Sequence, residues 1–193
     1  IPLYLRELTE MIAEGKVITS SQELGQRLGL SSAQIRKDLS QFGEFGKQGT
    51  GYNITFLAEQ LRRILKVDQL WNIALVGAGD LGRAVANYGG FFDRGFRITK
   101  VYDIDPQKIG QRIGGFIIHD VASMAADIRK TKIKIAMLAV PAADAQSVTD
   151  KLVEAGIQAI LCYAPVSLKV PESVKIQYID PVLRLQHMTY YVS

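Results

Sequence analysis

A glycine-rich segment between residues 73 and 86 constrains the fold more than any other feature. A short apolar run rich in β-branched residues stops at Gly77, and the spacing GxGxxG through Gly79 and Gly82 leads into a helix-forming segment from Leu81. This order predicts a strand, a turn and a helix. Gly77 permits the tight turn, Gly79 lets the backbone approach a pyrophosphate, and Gly82 lets the helix pack close to the strand. Free N–H groups and the positive end of the helix dipole would meet the phosphate charge.

A second predicted strand, over residues 98–102, supports this interpretation. It ends at Asp103, which lies 21 residues beyond Gly82, where a dinucleotide-binding fold has the acid that bonds the adenosine ribose hydroxyls. A carboxylate there would repel a 2′-phosphate, so NAD(H) is favoured over NADP(H). The alternative is a solvated carboxylate at a strand end. The predicted cofactor-binding residues of this unit are Gly77, Ala78, Gly79, Asp80, Leu81, Gly82 and Asp103.

Strand and helix patterns continue to alternate after Asp103. The predicted elements are a helix from Asp120 to about 130, a buried strand over 133–140, a helix over 142–155, and strands near 159–163 and 175–179. Such alternation predicts an α/β fold with a doubly wound parallel sheet of Rossmann type, whose ligand crevice lies beyond the carboxyl ends of the strands.

Residues that end two of these strands are candidates to line the nicotinamide end of the crevice. The prolines among them can equally serve only to terminate strands. The candidates are Val140, Pro141, Tyr163, Ala164 and Pro165.

Composition narrows the class of protein. The 193 residues are 48% apolar, which is enough for a packed core, and no apolar run approaches the roughly 20 residues that span a bilayer. We expect a soluble, cytoplasmic protein without a signal peptide. Because Cys162 is the single cysteine of the sequence, an internal disulfide is excluded, and its apolar neighbours favour burial over reactivity. His119 and His187 are too far apart in the sequence to suggest a zinc pair, so we expect no metal. The net charge of +4 permits an anionic partner without requiring one. Because the chain opens at Ile1, we expect that part of the native amino terminus is missing.

The amino-terminal third predicts a helix-turn-helix. A helix over 3–13 has Leu5, Leu8 and Ile12 at helical spacing. A second helix starts at a capping box of Ser20 and Glu23 and closes at Gly29. A third runs from Ser31 to about Gln41, with Ile35, Leu39 and Phe42 on its inner face. Two short capped helices joined by a glycine-containing turn are typical of a DNA-binding motif.

The polar face of the third helix is the candidate recognition surface. Gln, Arg and Lys can form paired hydrogen bonds to adenine and guanine edges in the major groove. On the pattern alone, a solvated helix face is an equally good interpretation. Residues 42–54 then predict a wing, with Lys47 and Gln48 at the tip of a hairpin and Tyr52 and Ile54 on its returning strand, before a helix over 56–65. The predicted DNA-binding residues are Ser32, Gln34, Arg36, Lys37, Ser40, Lys47 and Gln48.

The tail over residues 182–192 is amphipathic and apolar for a chain end. It can be covered by its own domain or by a second subunit, and we favour a homodimer because helix-turn-helix proteins usually bind DNA as dimers. The predicted domains are a winged-helix DNA-binding domain over 1–67, a Rossmann NAD(H)-binding domain over 68–180 and a dimerisation helix over 181–193.

Together these features resemble the Rex family of bacterial redox-sensing transcriptional repressors over nearly the whole chain. The stretches that carry the resemblance are Tyr4-Leu5-Arg6, residues 35–43 with the string Arg-Lys-Asp-Leu-Ser, residues 46–52, Val76 to Gly82, residues 102–106 and Ala164-Pro165-Val166. The Arg-Lys-Asp-Leu-Ser string joined to the glycine- and tyrosine-containing wing is much more specific than GxGxxG. One departure is Gln48, where the family usually has Arg or Lys, so the resemblance supports minor-groove contact by the wing less strongly.

The resemblance implies a homodimer that binds operator DNA when the NADH/NAD ratio is low and leaves it when NADH binds. It implies base contacts by Arg36 and Lys37, a wing tip in the minor groove, and a carboxyl-terminal helix swapped between subunits. It also makes Arg6, Tyr88 and Asp180 candidates for a polar network that rearranges with the switch, although an ordinary domain-interface salt bridge would have the same composition.

Three other functions are compatible with parts of the sequence. A small NAD- or CoA-binding Rossmann enzyme with an accessory helical domain is the main alternative, although a dehydrogenase needs a substrate domain, and the first third of the chain is already committed to helices and a wing. The nucleotide fold also resembles the CoA-binding domain of acyl-CoA ligases. A DNA-binding protein with a purely structural nucleotide is the third.

Overall fold

The computed structural model describes residues 1–45 and 50–192. The chain separates into two compact units, Ile1–Gln69 and the residues from Leu70 onward. The boundary between the units falls two residues beyond the predicted one.

The amino-terminal unit is a small helical domain with a short β-ladder. Its elements are α1 (Pro2–Ala13), β1 (Ile18–Thr19), α2 (Ser21–Leu28), α3 (Ser32–Ser40), β2 (Tyr52–Asn53) and α4 (Ile54–Ile64). Helices α1, α2, α3 and α4 contribute to one core, in which Leu8, Leu24, Ile35 and Leu61 are completely buried.

The predicted capping residues start α2 and α3. The hydroxyl of Ser20 accepts from the backbone N–H of Glu23, and that of Ser31 accepts from the N–H of Gln34. Gly29 ends α2 in the left-handed conformation, with a φ of 68°. The capping box is nevertheless incomplete, because the Glu23 carboxylate accepts from Lys16 and the Thr19 hydroxyl.

Two apolar residues of the predicted helix patterns are exposed, and the inner-face position predicted for Phe42 is wrong. Ile12 is 36% exposed, and the residues that α1 buries are Tyr4, Glu7, Leu8 and Met11. Phe42 is 43% exposed, because α3 ends at Ser40 and the helical period does not extend to residue 42.

The described part of the predicted wing includes a strand that pairs with a distant segment. The strand β2 pairs antiparallel with β1, with Thr19 opposite Tyr52. Gly51 fits closely against β1, since a Cβ on it would lie 2.5 Å from the Thr19 carbonyl oxygen. Ile54, predicted on the returning strand, is instead the first residue of α4, because the Asn53 side chain accepts from the N–H of Phe56 and caps the helix. Lys47 and Gln48 lie outside the described residues.

The second unit is an α/β domain. Its elements are β3 (Trp71–Val76), α5 (Asp80–Asn87), a 3-10 helix (Gly89–Arg94), β4 (Phe96–Asp103), β5 (Arg112–Ile113), β6 (Phe116–Asp120), a 3-10 helix (Val121–Ser123), α6 (Met124–Thr131), β7 (Ile135–Leu138), α7 (Ala142–Glu154), β8 (Ala159–Cys162), β9 (Lys175–Tyr178) and α8 (Pro181–Thr189).

The sheet confirms the predicted doubly wound topology. Its strand order is β5-β6-β4-β3-β7-β8-β9, and all neighbours are parallel except the β5–β6 pair. Leaving out β5, this is the dinucleotide-binding order 3-2-1-4-5-6. The central strand β3 is almost fully buried from Ile73 to Val76, and Val76 is in register with Tyr102 on one side and Leu138 on the other. The order of neighbours reverses beside β3, so the crevice lies above that strand.

Two local features depart from prediction. Strand β7 ends at Leu138, so Val140 lies beyond it. The β5–β6 hairpin was not predicted, although its turn, Gly114-Gly115, has a positive φ at both residues, as a two-residue hairpin requires.

None of the helices over residues 1–45 and 50–192 is long and apolar enough to cross a membrane.

Candidate nucleotide crevice and DNA-contacting helix

The turn after β3 requires glycine at two positions. Gly77 has a φ of 101°, and a Cβ on it would lie 2.2 Å from the carbonyl oxygen of Ala139. A Cβ on Gly82 would lie 1.8 Å from the carbonyl oxygen of Gly77. The first turn of α5 therefore approaches the end of β3 more closely than any side chain allows.

Gly79 differs from these two glycines because its surroundings are open. It is the N-terminal cap of α5 at a φ of −73°, which any residue can adopt, and a Cβ on it would meet nothing within 4 Å. The next two residues, Asp80 and Leu81, are exposed. An open space thus lies in front of the first N–H groups of α5, where an anion would be stabilised.

Asp103 is bonded directly to this turn. Its Oδ2 accepts from the N–H of Ala78 at 2.7 Å, and its Oδ1 accepts from the N–H of Asp105 at 2.9 Å. The ammonium of Lys108 lies 3.6 Å from a carboxylate oxygen of both Asp103 and Asp105. Burial works to raise the pKa of Asp103, but the two backbone donors and Lys108 outweigh it and hold the pKa below its usual value. The carboxylate is ionised at neutral pH and can therefore act only as a hydrogen-bond acceptor.

Lys108 is a member of this group that the sequence pattern does not predict. A lysine in the turn after the acidic strand end is a weak signal, because charged residues are common in such turns. In the structure it leaves the group of Asp103, Asp105 and Lys108 with one net negative charge, which is unfavourable for a 2′-phosphate.

The five residues proposed to line the nicotinamide end follow the carboxyl ends of two neighbouring strands. Val140 and Pro141 come after β7, and Tyr163, Ala164 and Pro165 come after β8. Val140 and Tyr163 are half-buried, Ala164 is buried, and both prolines are exposed. Since β7 and β8 are adjacent and parallel, these residues lie at one edge of the sheet, next to the Gly77 turn.

The predicted DNA-contacting residues of α3 are mostly at the surface. Ser32 is half-buried, and Gln34, Arg36, Lys37 and Ser40 are exposed. The Arg36 guanidinium donates to the hydroxyl of Ser21 on α2 at 3.1 Å, and the Ser40 hydroxyl donates to the backbone carbonyl of Lys37 at 2.9 Å. The exposed face therefore presents two cations and an amide together.

The three residues of the predicted polar network have separate local partners. In the amino-terminal unit, Arg6 lies 4.0 Å from the Glu10 carboxylate. In the second unit, the Tyr88 hydroxyl accepts from Arg94 at 3.2 Å, and Asp180 caps α8 by accepting from the N–H groups of Val182 and Leu183.

Tyr88 also borders an aromatic cavity of about 420 Å³. The cavity is lined by the end of α5, the first residues of β4, and the hairpin residues Gly114 and Phe116. It lies at the amino ends of the parallel strands, the opposite edge from Gly77, and is separate from the candidate nucleotide crevice.

Cys162 is completely buried at the end of β8, as predicted. Burial raises the pKa of its thiol, and the sulfur contacts the carbonyl oxygen of Ala164 at 3.6 Å. A protonated, inaccessible thiol is a poor nucleophile.

Two family models match the chain. The model described as "CoA binding domain" matches residues 68–166, and the one described as "Putative DNA-binding protein N-terminus" matches residues 1–40. The second match lies within the amino-terminal unit, and the first lies in the second unit except for residues 68 and 69.

Relatives match both units at once. The chain is 53% identical to a protein of Chloroflexus aurantiacus named "Redox-sensing transcriptional repressor Rex", over 100% of this chain and 91% of the relative. The crystal structure of RSP in complex with β-NAD⁺ and operator DNA matches with a TM-score of 0.94 at 38% identity, covering 99% of this chain and 88% of RSP. The structure of RSP in complex with β-NADH matches with a TM-score of 0.90 at 36% identity, covering 99% and 89%.

Proposed function

Because this chain belongs to the Rex family of redox-sensing transcriptional repressors, we propose that it binds operator DNA as a homodimer when the NADH/NAD ratio is low and leaves the DNA when NADH binds. The observation that carries the proposal is the full-length match, which covers the helix-turn-helix unit and the dinucleotide crevice together. RSP forms complexes with operator DNA plus NAD⁺ and with NADH, and this supports the same pair of ligands here.

The chemistry of the crevice supports preference for the reduced nucleotide. Oxidised nicotinamide is a cation, and enclosing it without a carboxylate partner is costly, whereas dihydronicotinamide is neutral. The five residues proposed to line that end are uncharged, and Asp103, which we propose bonds the ribose, ends β4 on the other side of β3. The reduced ring therefore enters at a lower desolvation cost.

Release of DNA requires NADH to favour one arrangement of the dimer over the other. To invert a 99:1 population, NADH must bind the released state about 5.5 kcal/mol more tightly than the DNA-bound state. We propose that NADH closes the two subunits, moves the two copies of α3 out of register with successive grooves, and rearranges Arg6, Tyr88 and Asp180.

The dimer is proposed to form through α8. No residue of α8 is buried within this chain, and Val182, Leu183, Leu185 and Met188 are each about 60% exposed. An apolar helix that its own unit leaves uncovered is most simply covered by a second copy, by exchange of the helix between subunits.

Introducing a charge at an apolar position of α8 tests the dimer. Leu185→Glu should shift the protein to monomer in sedimentation velocity, whereas the exposed neighbour substitution Gln186→Glu, which adds the same charge, should leave the dimer intact. If Leu185→Glu sediments as the wild type does, α8 is not the interface.

An operator-binding titration with NADH, NAD⁺ and NADPH in parallel tests the function. Salt must be fixed, because phosphate contacts make affinity depend on it. NADH should release the DNA at a far lower concentration than NAD⁺ or NADPH. An operator affinity that ignores all three nucleotides would indicate a structural nucleotide instead.

CoA is the alternative ligand that the match over residues 68–166 suggests. The 3′-phosphate on the ribose of CoA would meet the ionised Asp103, which disfavours it. Displacement of NADH by equimolar CoA would contradict the proposal.

The relatives are named repressors, and we further propose that the chain has no catalytic activity and acts in the cytoplasm. Oxidation of NADH by the purified protein in the presence of pooled metabolites would argue for an enzyme.

A further inference from the structure

One residue of the Arg-Lys-Asp-Leu-Ser string has no role in the function described so far. We propose that Asp38 is a positioning residue for DNA recognition, which is held by Tyr4 of α1 and in turn orients the Gln34 amide on the exposed face of α3. This inference rests on the proposed function, since it concerns how α3 contacts DNA.

Both oxygens of the Asp38 carboxylate have donors from different helices. The Tyr4 hydroxyl of α1 donates to Oδ2, and the Gln34 amide nitrogen, one turn earlier on α3, donates to Oδ1 at 2.5 Å. Asp38 itself is half-buried and Gln34 is exposed. The carboxylate thus connects the inside of the unit to its surface.

Tyr4 is a rigid anchor for this connection. Its side chain is only 3% exposed, and its ring packs in the core with Leu8, Ile35 and Leu39. The hydrogen bond from Tyr4 is the largest cause that lowers the pKa of Asp38, so the carboxylate is ionised at neutral pH.

An ionised carboxylate accepts hydrogen bonds and cannot donate them, which fixes the orientation of the amide. The NH₂ group of Gln34 must face Asp38, and its oxygen and second N–H are left toward solvent. That pair matches the N6 donor and N7 acceptor of adenine. Without Asp38, the amide would rotate freely and would lose side-chain entropy when it bound a base.

A merely structural role would give a different result. If Asp38 only joined α1 to α3, its loss would lower the melting temperature and weaken binding to every DNA sequence alike. A positioning role weakens binding to the operator alone, at the base pair that Gln34 contacts.

The test uses the full chain without nucleotide and an operator selected from random duplexes by the wild type. Tyr4→Phe and Asp38→Asn should each lower operator affinity by about 2- to 10-fold, the equivalent of ordering one side chain. Affinity for non-specific DNA and the salt dependence should not change. Tyr102→Phe is the matched control, since it removes a buried hydroxyl that bonds the Asp127 carboxylate in the other unit.

A double-mutant comparison tests whether Asp38 acts on DNA binding through Gln34. Asp38→Asn combined with Gln34→Ala should bind the operator no more weakly than Gln34→Ala alone, because the positioning residue then has nothing to orient. Asp38→Asn with wild-type operator affinity, or with equal losses on operator and non-specific DNA, would overturn the inference while leaving the repressor function standing. A wild-type chain that selects no sequence would overturn both. If Tyr4→Phe does not fold, Asp38→Asn decides the question.

Discussion

The backbone N–H of Ala78 donates to Oδ2 of Asp103 across 2.7 Å, although the two residues are 25 positions apart. The bond joins the turn that faces the proposed pyrophosphate site to the carboxylate that faces the proposed ribose site. If the nucleotide binds as proposed, the two ends of its adenosine diphosphate group would meet two groups that this hydrogen bond already holds at a fixed spacing.

Asp103→Ala should lower NADH affinity by roughly 10- to 100-fold, because hydrogen bonds to a charged group contribute about 1.5–3 kcal/mol. Fluorescence titration of NADH measures the loss. Operator affinity without nucleotide should be unchanged, and Asp150→Ala on the exposed side of α7 should behave as the wild type does. Equal NADH affinity in the two variants would remove Asp103 from the site.

Gly79→Ala and Gly82→Ala form a pair with opposite expectations. A methyl group on Gly82 collides with the Gly77 carbonyl, and overpacking of this kind costs about 1–3 kcal/mol, so the melting temperature should fall by several degrees. A methyl group on Gly79 enters open space, so the fold should be retained while NADH binding weakens. Calorimetry and NADH titration separate the two effects, and a stable Gly79→Ala variant with full NADH affinity would show that no phosphate lies there.

Arg36→Ala and Lys37→Ala should each weaken operator binding by about 1–3 kcal/mol if each loses a paired base contact. Fluorescence anisotropy at fixed salt measures the change, with the exposed Arg129→Ala of α6 as the charge-matched control. A loss that is the same on operator and random duplex would assign either residue to the phosphate backbone instead.

Cys162→Ser should leave NADH-induced release intact. The thiol is completely buried and its pKa is raised, so it has neither the access nor the ionisation that thiol-based sensing needs. Release assays with and without a thiol reductant provide the measurement, and a response that disappears in the variant would indicate thiol chemistry.

The Tyr4–Asp38 pair should give the protein an alkaline-sensitive component of stability. Burial, followed by the bond to Asp38 and its charge, raises the pKa of Tyr4 from its ordinary value of 10.0 to about 12. A raised pKa contributes stability that is complete below the unfolded value and is lost as pH rises through the folded value. The stability advantage of the wild type over Tyr4→Phe should therefore shrink between about pH 10 and pH 12, as followed by denaturant unfolding. A constant difference over that range would contradict the raised pKa.

Sequence pattern predicted those parts of the structure in which local chemistry and tertiary packing agree. Ser20, Ser31 and Gly29 bound helices because their side chains or backbone satisfy helix ends wherever they occur. The position of Asp103 beside the glycine turn could be predicted because strand length and glycine spacing fix its distance from that turn.

Other features depend on tertiary contacts that a linear pattern does not contain. The partner of β2 is β1, which is 33 residues away and only two residues long, so periodicity gives no signal for it. Ile54 begins a helix rather than ending a strand because Asn53 caps it, and an apolar residue beside a possible cap is compatible with both assignments. The Tyr4–Asp38 bond links residues on different helices and carries no sequence spacing of its own.

The apolar side chains of α8 are uncovered within this chain, and this exposure has a consequence for regulation if a second copy covers them. If they are covered only by another copy, mass action governs the amount of competent repressor, and dilution removes it as effectively as the reduced nucleotide does. The cell would then set the threshold of its response with two variables, the redox ratio and the abundance of this polypeptide.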